Sequence, residues 1–575
     1  MRIMRMPPAK EQSVSSREFG AQYMYPLVNA AELLVRCLEN EGVRYVFGIP
    51  GEETLALNDA LDRSEKIQFI LTRHEQAAAF MADVYGRLTS YPGVCLATLG
   101  PGATNLLTGV ADAQLDRAPL VAITGQAGLE RVHLESHQYI DIVGMFTPVT
   151  KWSTRVTVAN TVPEVVRKAF RLARLEKPGA AHIELPEDIA AERVDASPLE
   201  IRRTTYPRAD ESVIERALDI IDAAKRPVIL VGNGVIRREA TGRPAVDSLR
   251  QFVQRSAIWA THTYMAKGAL DSRGAHSLPP VGLQRPGADL ANLKELADAD
   301  VVIAIGYDLV EWAPVLWNPK RDKVVIHVDS TPAELDGHYQ PSVEVIGELH
   351  ESLEALAARV KPRDDRKGVV GAAEVRRVGD HAPIQPETVI ADLREALAPD
   401  DIVISDVGAH KVWLSRLFPT ERPGTVVISN GLASMGIALP GAIAAKLVHP
   451  ERKVVAFSGD GGFLMNVQEL ETAKRIGTAI VVVVLVDERL GVIEANEKRT
   501  YRRTFATAFG NPDFVELARA FGIAGYAVES AKDLVPTLRR ALDLDGPSIV
   551  AVPWDHTANE RIAEAQAGRA PVTPG

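Results

Sequence analysis

The 575-residue sequence contains only two cysteines, Cys37 and Cys95. Two cysteines exclude a disulfide framework and a metal site built from cysteine ligands. An excess of positive charge is also missing, because the formal net charge is −10 at pH 7. Binding to nucleic acid depends on basic patches that contact phosphates, so we expect no nucleic-acid partner.

Long apolar runs are missing as well. No run reaches the length of about 20 apolar residues that a membrane-spanning helix needs. Residues 1–18 carry charges where a signal peptide has its apolar stretch. We therefore expect no membrane partner and a cytoplasmic location. The content of 46% hydrophobic and 24% charged residues is that of an ordinary soluble globular protein.

The chain is too long for one hydrophobic core and suits three domains. Strand-like runs such as 94–98 and 120–124 alternate with helical patterns, which is typical of a doubly wound parallel sheet. We predict an α/β fold with three such domains. The predicted segments are a flexible tail at 1–24, a first domain at 25–197, a middle domain at 211–360, a linker at 361–385, a last domain at 386–555 and a flexible tail at 556–575.

A glycine turn in the last domain carries a clear chemical signal. Residues 454–458 predict a buried strand, and the Gly-Asp-Gly-Gly turn at 459–462 follows it directly. Asp487 lies 27 positions after Asp460, at the end of a second apolar run, 480–486. Both carboxylates should emerge at strand ends, where open α/β sheets bind ligands. Two oxygen ligands beside a turn of free backbone N–H groups suit Mg²⁺ together with a diphosphate.

A carboxyl group in the first domain marks a second position of interest. Glu75 opens a predicted helix directly after the strand 67–71. An isolated glutamate at a helix N-terminus is often only a partner of the helix dipole. Two further motifs flank Glu75, namely Phe-Gly-Ile-Pro-Gly at 47–51 and Gly-Pro-Gly-Ala-Thr-Asn at 100–105.

Together these motifs resemble the two cofactor-binding halves of the thiamine diphosphate enzymes. In that family Gly-Asp-Gly is followed further along the chain by Asn-Asn, which Val486 and Asp487 replace here. Asparagine and aspartate oxygens both bind Mg²⁺, so metal binding is retained with one extra negative charge. The matches at 47–51 and 100–105 favour Glu75 as a cofactor residue over a helix cap.

The resemblance implies that Glu75 lies against N1′ of the aminopyrimidine ring of the cofactor. Proton exchange between this carboxyl group and N1′ gives the imino form that removes the proton from C2. Such an acid belongs in an apolar pocket that raises its pKa toward neutrality. In the family the cofactor lies between the first domain of one chain and the last domain of another, which predicts a homodimer or a homotetramer.

Further site residues follow from the same resemblance. Met435 is expected to wedge between the two rings of the cofactor, and a flexible apolar side chain suits that position. Core packing is an equally simple interpretation of Met435 alone. The predicted cofactor residues are Pro50, Gly51, Glu75, Gly102, Asn105, Gly408, His410, Met435, Gly459, Asp460, Gly461, Gly462, Asp487, Leu490, Gly491 and Ile493. The predicted metal ligands are Asp460, Asp487 and Arg489, and the predicted catalytic residues are Glu75 and Gln138.

Within this superfamily, the middle of the chain is most similar to acetolactate synthases, especially the catabolic kind without flavin. Gly306-Tyr307-Asp308 stands where flavin-dependent relatives carry a Gly-Ala-Arg-Phe-type signature. The resemblance therefore implies a structural middle domain, with FAD absent or vestigial. Gln138 falls where the family places a substrate-facing glutamine, although a surface loop amide is equally consistent with the sequence.

The predicted reaction is the decarboxylation of pyruvate and the addition of its two-carbon unit to a second 2-oxo acid, which gives 2-acetolactate. The alternative is a 2-oxo acid decarboxylase, but pyruvate decarboxylases use a His-His pair and a glutamate for protonation. This chain has no His-His pair and has Ile493 at the position of that glutamate, which favours carboligation. A non-catalytic binding or regulatory subunit is a further alternative. It is disfavoured by the joint presence of four residues, Glu75, Asp460, Asp487 and Met435.

Two departures from the catabolic enzymes bear on the substrate. Glu52 and Glu53 follow Gly51 where those enzymes carry a lysine, and Ala495-Asn496-Glu497 replaces a bulkier Phe-Gln-Gln. Both segments lie near the predicted pocket and change its charge or its volume. The sequence is compatible with a role in branched-chain amino-acid synthesis and with a catabolic role.

Overall fold

The computed structural model describes residues 28–202, 205–237, 245–282, 291–363 and 375–561. The predicted N-terminal tail, 1–24, lies outside these residues. Three large parallel sheets account for the described strands apart from one short antiparallel pair. The predicted α/β class with three parallel-sheet domains is therefore confirmed. In these described ranges, no helix is long and apolar enough to cross a membrane.

The first sheet is buried beneath helices on both faces, and two hydrophobic clusters form the two layers. Its elements in chain order are β1 (Val28–Asn29), α1 (Ala30–Asn40), β2 (Tyr45–Gly48), α2 (Leu55–Asp62), β3 (Gln68–Leu71), α3 (Glu75–Thr89), β4 (Gly93–Ala97), α4 (Pro101–Leu115), β5 (Leu120–Gln126), α5 (Ile142–Phe146), β6 (Trp152–Arg155), α6 (Val162–Arg174), β7 (Ala180–Pro186), α7 (Glu187–Ala191) and β8 (Arg193–Val194). The sheet order is β3-β2-β4-β5-β7-β6, and β1 pairs with β8. Every residue of β5 is buried, as expected for a central parallel strand.

The middle sheet has five parallel strands. Its elements are α8 (Glu211–Ala223), β9 (Pro227–Val231), α9 (Val246–Ser256), β10 (Trp259–His262), α10 (Ala291–Asp298), β11 (Val301–Ile305), β12 (Val324–Asp329), β13 (Val343–Ile346) and α11 (Leu349–Arg359). The strand order is β10-β9-β11-β12-β13. Glycine turns follow β9 and β11, and they pack against each other. An ideal Cβ built on Gly232 would lie only 2.4 Å from the carbonyl oxygen of Gly306. Only glycine allows these two turns to approach so closely.

The last sheet again has six parallel strands. Its elements are α12 (Pro386–Ala396), β14 (Ile402–Ser405), α13 (Ala409–Leu417), β15 (Val426–Ile428), α14 (Ala438–Val448), β16 (Val454–Gly459), α15 (Asp460–Phe463), α16 (Glu469–Arg475), β17 (Val481–Val486), α17 (Gly491–Tyr501), α18 (Phe514–Phe521), β18 (Ala524–Ala527), α19 (Ala531–Leu542) and β19 (Ser548–Pro553). The strand order is β15-β14-β16-β17-β19-β18.

The first and last sheets share one topology. Numbered along the chain within each sheet, the strands of both lie in the order 2-1-3-4-6-5. The winding therefore reverses beside β2 in the first sheet and beside β14 in the last. Open α/β sheets bind ligands at such reversal points, beyond the carboxyl ends of the strands.

The first and last domains of one chain share a hydrophobic core. Helix α3 packs along α14, and the contact surface is rich in alanine, including Ala78 and Ala82 on one helix and Ala438 and Ala442 on the other. Side chains of this size allow the two helix backbones to lie close together. Helix α3 is therefore held between its own sheet and the last domain.

The C-terminal segment is ordered further than its composition predicts. We expected a flexible tail from residue 556, but the chain forms a 3-10 turn at His556–Ala558 and is described up to Arg561. Asn559 is buried and accepts a hydrogen bond from Trp413 Nε1 at 3.3 Å. The remainder of that predicted tail, 562–575, lies outside the described residues.

Replacing Gly93 by alanine is expected to destabilise the chain. An ideal Cβ on Gly93, at the start of β4, would lie 2.0 Å from the carbonyl oxygen of Ala82 in α3. Because this neighbour is helix backbone, α3 must shift, at a cost of about 1–3 kcal/mol. Thermal unfolding measures the effect, with Gly546→Ala as the control, since nothing lies within 4 Å of that position. Equal midpoints for the wild type and Gly93→Ala would contradict the packing described for α3.

Candidate active site

Glu75 is the first residue of α3 and lies just beyond the carboxyl end of β3. His74 caps this helix, because its Nδ1 accepts a hydrogen bond from the Gln76 amide at 3.1 Å. Glu75 is only 8% exposed, and its Oε2 accepts a hydrogen bond from Asn105 Nδ2 at 2.9 Å. The other oxygen, Oε1, faces Gly102, where an ideal Cβ would lie 3.4 Å away. The structure thus brings three predicted site residues together.

Small residues shape the rest of this half of the site. An ideal Cβ on Gly51 would lie 2.3 Å from the Cβ of Thr98, so a larger residue does not fit there. Thr98 also lies 3.0 Å from the corresponding position on Gly102, and its hydroxyl donates to Glu53 Oε2 at 2.9 Å. Glu53 therefore brings its negative charge next to the residues that surround Glu75. Pro50, at the start of the same loop, is exposed.

Gln138 lies at the same edge of the first sheet. An ideal Cβ on Gly100 would lie 2.7 Å from the carbonyl oxygen of Gln138. The backbone of Gln138 has φ = 57°, a left-handed conformation that few residues other than glycine adopt. Its side chain is exposed. The loop that carries Gln138 is therefore packed against the turn leading to Gly102.

The predicted carboxylate pair forms at the edge of the last sheet. Asp460 is 1% exposed and begins α15 directly after β16. Its Oδ2 accepts hydrogen bonds from the amides of Asp487 at 3.1 Å and Glu488 at 2.7 Å. The same oxygen accepts from Asn511 Nδ2 at 2.8 Å, and Oδ1 accepts from the Gly461 amide at 2.8 Å. These contacts hold the turn after β16 against the end of β17.

Asp487 lies beside Asp460, and its Oδ1 accepts a hydrogen bond from the Arg489 amide at 3.2 Å. Burial, followed by the charge of Asp460, raises the pKa of Asp487 to about 7. A divalent cation between the two carboxylates would remove this repulsion. The local electrostatics therefore fit a bound cation.

The available donors suit Mg²⁺. Asp460 and Asp487 offer carboxylate oxygens. Arg489 pairs with Ala508 in a short antiparallel bridge, whose hydrogen bonds are made by the residues on either side of these two. The carbonyl oxygen of Arg489 takes no part in those hydrogen bonds and can serve as a third ligand. Within the described ranges, no group of three histidine, cysteine or acidic side chains forms a complete metal site. Two carboxylates and a carbonyl match a metal that completes its octahedral shell with phosphate oxygens and water.

His410 lies in the first turn of α13, buried beside two glycine turns. An ideal Cβ built on Gly408 would lie 2.8 Å from the His410 imidazole, and one built on Gly459 would lie 3.3 Å from it. Burial lowers the pKa of His410 to about 3, so the ring is neutral. Its Nε2 is buried without a hydrogen-bond partner in the described part of the chain. This ring nitrogen is therefore free to contact a bound group.

Met435 and Leu490 both lie beside the glycine turn. The Cε of Met435 and a Cδ of Leu490 each lie 3.6 Å from the ideal Cβ position of Gly461, and Phe509 lies 3.3 Å from it. An apolar surface is thus placed directly beside the carboxylate pair. Ile493, on the first turn of α17, is 52% exposed.

Asp406 was not among the predicted site residues, although it contacts two segments that carry them. It is 1% exposed, and its carboxylate accepts hydrogen bonds from the amides of Gly436 at 2.9 Å and Ala438 at 3.2 Å. Its Oδ1 also lies 2.6 Å from the ideal Cβ position of Gly462. Asp406 therefore joins the Met435 loop to the glycine turn. Its position two residues before Gly408 was the available sequence signal.

Two asparagines were missed as well. Asn511 holds Asp460, and its Oδ1 is buried without a partner in the described ranges. The Nδ2 of Asn559 is likewise unpartnered and lies 2.7 Å from the ideal Cβ position of Gly491, with Asp487 Oδ2 at 3.5 Å from the same position. Neither asparagine belongs to a strand-and-turn motif, so the sequence offered no signal for them.

Three family models match the chain at the regions that carry these residues. The N-terminal TPP binding domain of thiamine pyrophosphate enzymes matches residues 28–145, the central domain matches 214–356, and the C-terminal TPP binding domain matches 406–552. The first match contains Glu75 and the last contains Asp460 and Asp487. The chain belongs to the thiamine pyrophosphate enzymes.

Curated relatives narrow the family. The chain is 38% identical over 553 residues to acetolactate synthase of Bacillus subtilis (strain 168), which covers 93% of this chain and 94% of that protein. It is 37% identical over 545 residues to the catabolic acetolactate synthase of Raoultella terrigena, at 92% and 96% coverage. The isozyme 1 large subunit of Escherichia coli (strain K12) is 33% identical over 547 residues, at 92% and 94%. Within its class, the chain is a member of the acetolactate synthase family, which confirms the resemblance.

Glu469 connects the last domain to the segment before Glu75. It is fully buried, and it accepts hydrogen bonds from the Arg73 amide at 2.9 Å and the Thr472 hydroxyl at 2.6 Å. Burial raises the pKa of Glu469 to about 7, although these hydrogen bonds oppose the shift. The folded chain therefore retains a proton that the unfolded chain releases near pH 4.5.

Glu469→Gln is expected to remove one contribution to the pH dependence of stability. Between about pH 4.5 and 7 the folded state binds more protons than the unfolded state, so this group makes the free energy of unfolding fall as pH rises. The variant should lack that fall. Thermal midpoints across this range test it, with Glu215→Gln, an exposed glutamate of α8, as the control. Parallel curves for the wild type and Glu469→Gln would contradict the assignment.

Proposed function

We propose that the chain is a carboligase that depends on thiamine diphosphate and Mg²⁺, decarboxylates pyruvate and joins the two-carbon unit to a second 2-oxo acid to give 2-acetolactate. One observation carries the proposal. Two sheets of identical topology present, at equivalent edges, a buried glutamate held by Asn105 and a carboxylate pair beside a glycine turn. The membership of the acetolactate synthase family supports the same reaction.

The proposed metal ligands are Asp460, Asp487 and the carbonyl of Arg489. They would hold Mg²⁺ against the diphosphate, and the amides of the glycine turn together with His410 would contact the phosphate oxygens. Asn511 and Asp406 keep this half rigid, because each ties a ligand-bearing turn to its neighbour. Met435 and Leu490 would give the cofactor an apolar surface to bend over.

When bound, thiamine diphosphate supplies a nucleophilic carbon that attacks the keto carbon of pyruvate and takes up the electron pair released with CO₂. Glu75 would hold and return a proton at N1′ of the pyrimidine ring. Asn105 fixes one carboxylate oxygen of Glu75 by its hydrogen bond, which leaves Oε1 beside Gly102 for that exchange. Gln138 is proposed to face the substrate from the neighbouring loop.

Carboligation is favoured over simple decarboxylation by the first turn of α17. Simple decarboxylation requires a proton donor for the carbanion, whereas Ile493 is apolar. The nearby Glu494 is bound to Lys498 at 2.7 Å and to Arg489 at 3.2 Å. Burial alone would raise the pKa of Glu494, but these two partners lower it. Glu494 is thus kept ionised, and a carboxylate that holds no proton cannot act as the donor.

Contacts in the middle domain support the proposal that the protein does not bind FAD. At the ends of β9 and β11, where a dinucleotide would need free amides, the carboxylate of Glu311 accepts from the amides of Asn233 at 3.0 Å and Asp308 at 3.1 Å. The hydroxyl of Thr263 donates to it as well. Glu311 is 4% exposed. An internal carboxyl group therefore occupies the donors that a diphosphate would use.

A homodimer is supported by apolar side chains near the site. Ile493, Tyr501 and Phe505 are 52%, 69% and 81% exposed, and Leu134, in the segment before Gln138, is 50% exposed. In the described part of one chain, no hydrogen bond or ion pair joins Glu75 or Asn105 to the carboxylate pair. A partner would cover these side chains and complete the site. Two such dimers would give a homotetramer, located in the cytoplasm.

The reaction is tested by incubating the protein with thiamine diphosphate, Mg²⁺ and a panel of 2-oxo acids, with the products identified by mass spectrometry. We expect 2-acetolactate from pyruvate. Glu75→Gln should lower the rate by at least about 100-fold, because it removes the proton exchange at N1′. Glu215→Gln, on the exposed side of α8, serves as the control. Acetaldehyde without acetolactate would instead indicate a decarboxylase, and no binding of the cofactor would indicate a non-catalytic subunit.

The protein is expected to purify without flavin. Absorbance spectra should lack the flavin bands, and added FAD should not shift the thermal midpoint, because Glu311 occupies the anion-binding amides. A riboflavin-free sample mixed with FAD, followed by gel filtration, measures retention directly. Stoichiometric flavin in the protein peak would overturn this part of the proposal.

A further inference from the structure

Residues 429–437 form the loop that connects β15 to α14 and carries Met435, and they are called the Met435 loop below. Asp406 fixes the end of this loop through the Gly436 amide. The beginning of the loop is held differently. Its partners are carboxylates of the first domain, which are distant in sequence and belong to the same chain.

Two aspartates of the first domain hold the beginning of the Met435 loop. Asp112 accepts a hydrogen bond from the Ser429 hydroxyl at 2.8 Å, and Asp116 accepts one from the Asn430 amide at 3.1 Å. The Gly431 amide donates to Asp116 as well. Asp112 lies in the last turns of α4, and Asp116 is the C-cap of that helix. Both side chains are fully buried.

A single arginine organises these carboxylates. Arg87, in the last turn of α3, pairs with Asp83 at 2.6 Å, with Asp112 at 3.4 Å and with Asp116. It also donates Nη1–H to the carbonyl of Ile428 at 3.0 Å, the residue before the loop. These four side chains, Arg87, Asp83, Asp112 and Asp116, are called the Arg87 cluster below. Because the cluster is buried, its hydrogen bonds are strong and a lost partner is costly.

The loop is also tied to the helix of His410. Lys411, the next residue on α13, is buried and donates Nζ–H to the carbonyl of Ser429 at 3.1 Å. The beginning of the Met435 loop therefore contacts the Arg87 cluster on one side and the predicted diphosphate-binding helix on the other. A shift of Ser429 would therefore move both the Met435 loop and the helix that carries His410, which lie on either side of the predicted cofactor site.

We propose that Asp112 and Asp116 are positioning residues, which hold the Met435 loop in the shape that receives the cofactor. The first domain of each chain thereby shapes the diphosphate half of its own chain. This role rests on the proposed cofactor site, since it concerns the residue that bends thiamine diphosphate. The cluster touches neither the substrate nor the reacting atoms, so its effect should appear in cofactor binding.

Asp83 offers a matched control for a merely structural role. It is a fully buried aspartate that pairs with Arg87 at 2.6 Å, as Asp112 and Asp116 do at their own distances. It also contacts Asp112, and it has no direct hydrogen bond to the described residues of the Met435 loop. Asp83→Asn and Asp116→Asn therefore each replace one carboxyl group beside Arg87, but only Asp116→Asn removes an acceptor that bonds directly to the loop.

The test compares Asp116→Asn, Asp83→Asn and Ser429→Ala with the wild type. Calorimetry with thiamine diphosphate in excess Mg²⁺ gives the dissociation constant, and hydrogen exchange reports the opening of peptides that cover 429–437. Asp116→Asn should bind the cofactor about 10-fold more weakly and exchange faster in the loop, as expected when buried amides lose a charged acceptor. Ser429→Ala should show a smaller change in the same direction, and Asp83→Asn, which reaches the loop only through its neighbours, should change the affinity least.

Equal losses of cofactor affinity in Asp116→Asn and Asp83→Asn would overturn the positioning role and assign the cluster to stability alone. Wild-type affinity in Asp116→Asn and Ser429→Ala would overturn it as well. If Asp116→Asn does not fold, Ser429→Ala decides, because it removes one hydroxyl and leaves every charge in place. A wild-type protein that binds no thiamine diphosphate would instead refute the proposed function.

Discussion

The site depends on the backbone amides that become free where parallel strands end. In two of the three sheets a buried carboxylate accepts hydrogen bonds from such amides: Asp460 in the last sheet and Glu311 in the middle one. The outcomes differ because of where the carboxylate lies. Asp460 joins two strand ends and leaves the glycine turn open. Glu311, in contrast, occupies the amides at the ends of β9 and β11. One physical constraint thus gives an open anion site in one domain and a closed one in another.

Much of the fold could be predicted because its strands are continuous apolar runs that end in glycine turns. The runs 454–458 and 480–486 became β16 and β17 with shifts of a single residue at their ends. The pairing of Asp460 with Asp487 followed from the same pattern, since neighbouring parallel strands end at one edge. The fold class and the carboxylate pair are therefore properties of local sequence.

The rest of the site depends on contacts that local patterns do not describe. Asn511 and Asn559 come from irregular segments, and only the packed structure places them beside Asp460 and Gly491. Composition predicted a flexible end after residue 555, but Asn559 bonds to Trp413 and Arg561 pairs with Glu387, and these distant contacts hold the segment up to residue 561. The Arg87 cluster was missed for a related reason: its aspartates read as polar positions on two helices. Their burial appears only when the two domains meet.

Helix α3 has Glu75 at its first residue and Arg87 in its last turn. At a rise of about 1.5 Å per residue, these side chains are separated by about 18 Å along one rigid rod. In the proposed dimer, Glu75 at one end of the helix belongs to the active site shared with the neighbouring subunit. Arg87 at the other end holds the cofactor-binding loop of its own subunit. Helix α3 would then connect the two catalytic centres of a dimer. Cofactor binding at one centre would affect the position of the Glu75 that belongs to the other.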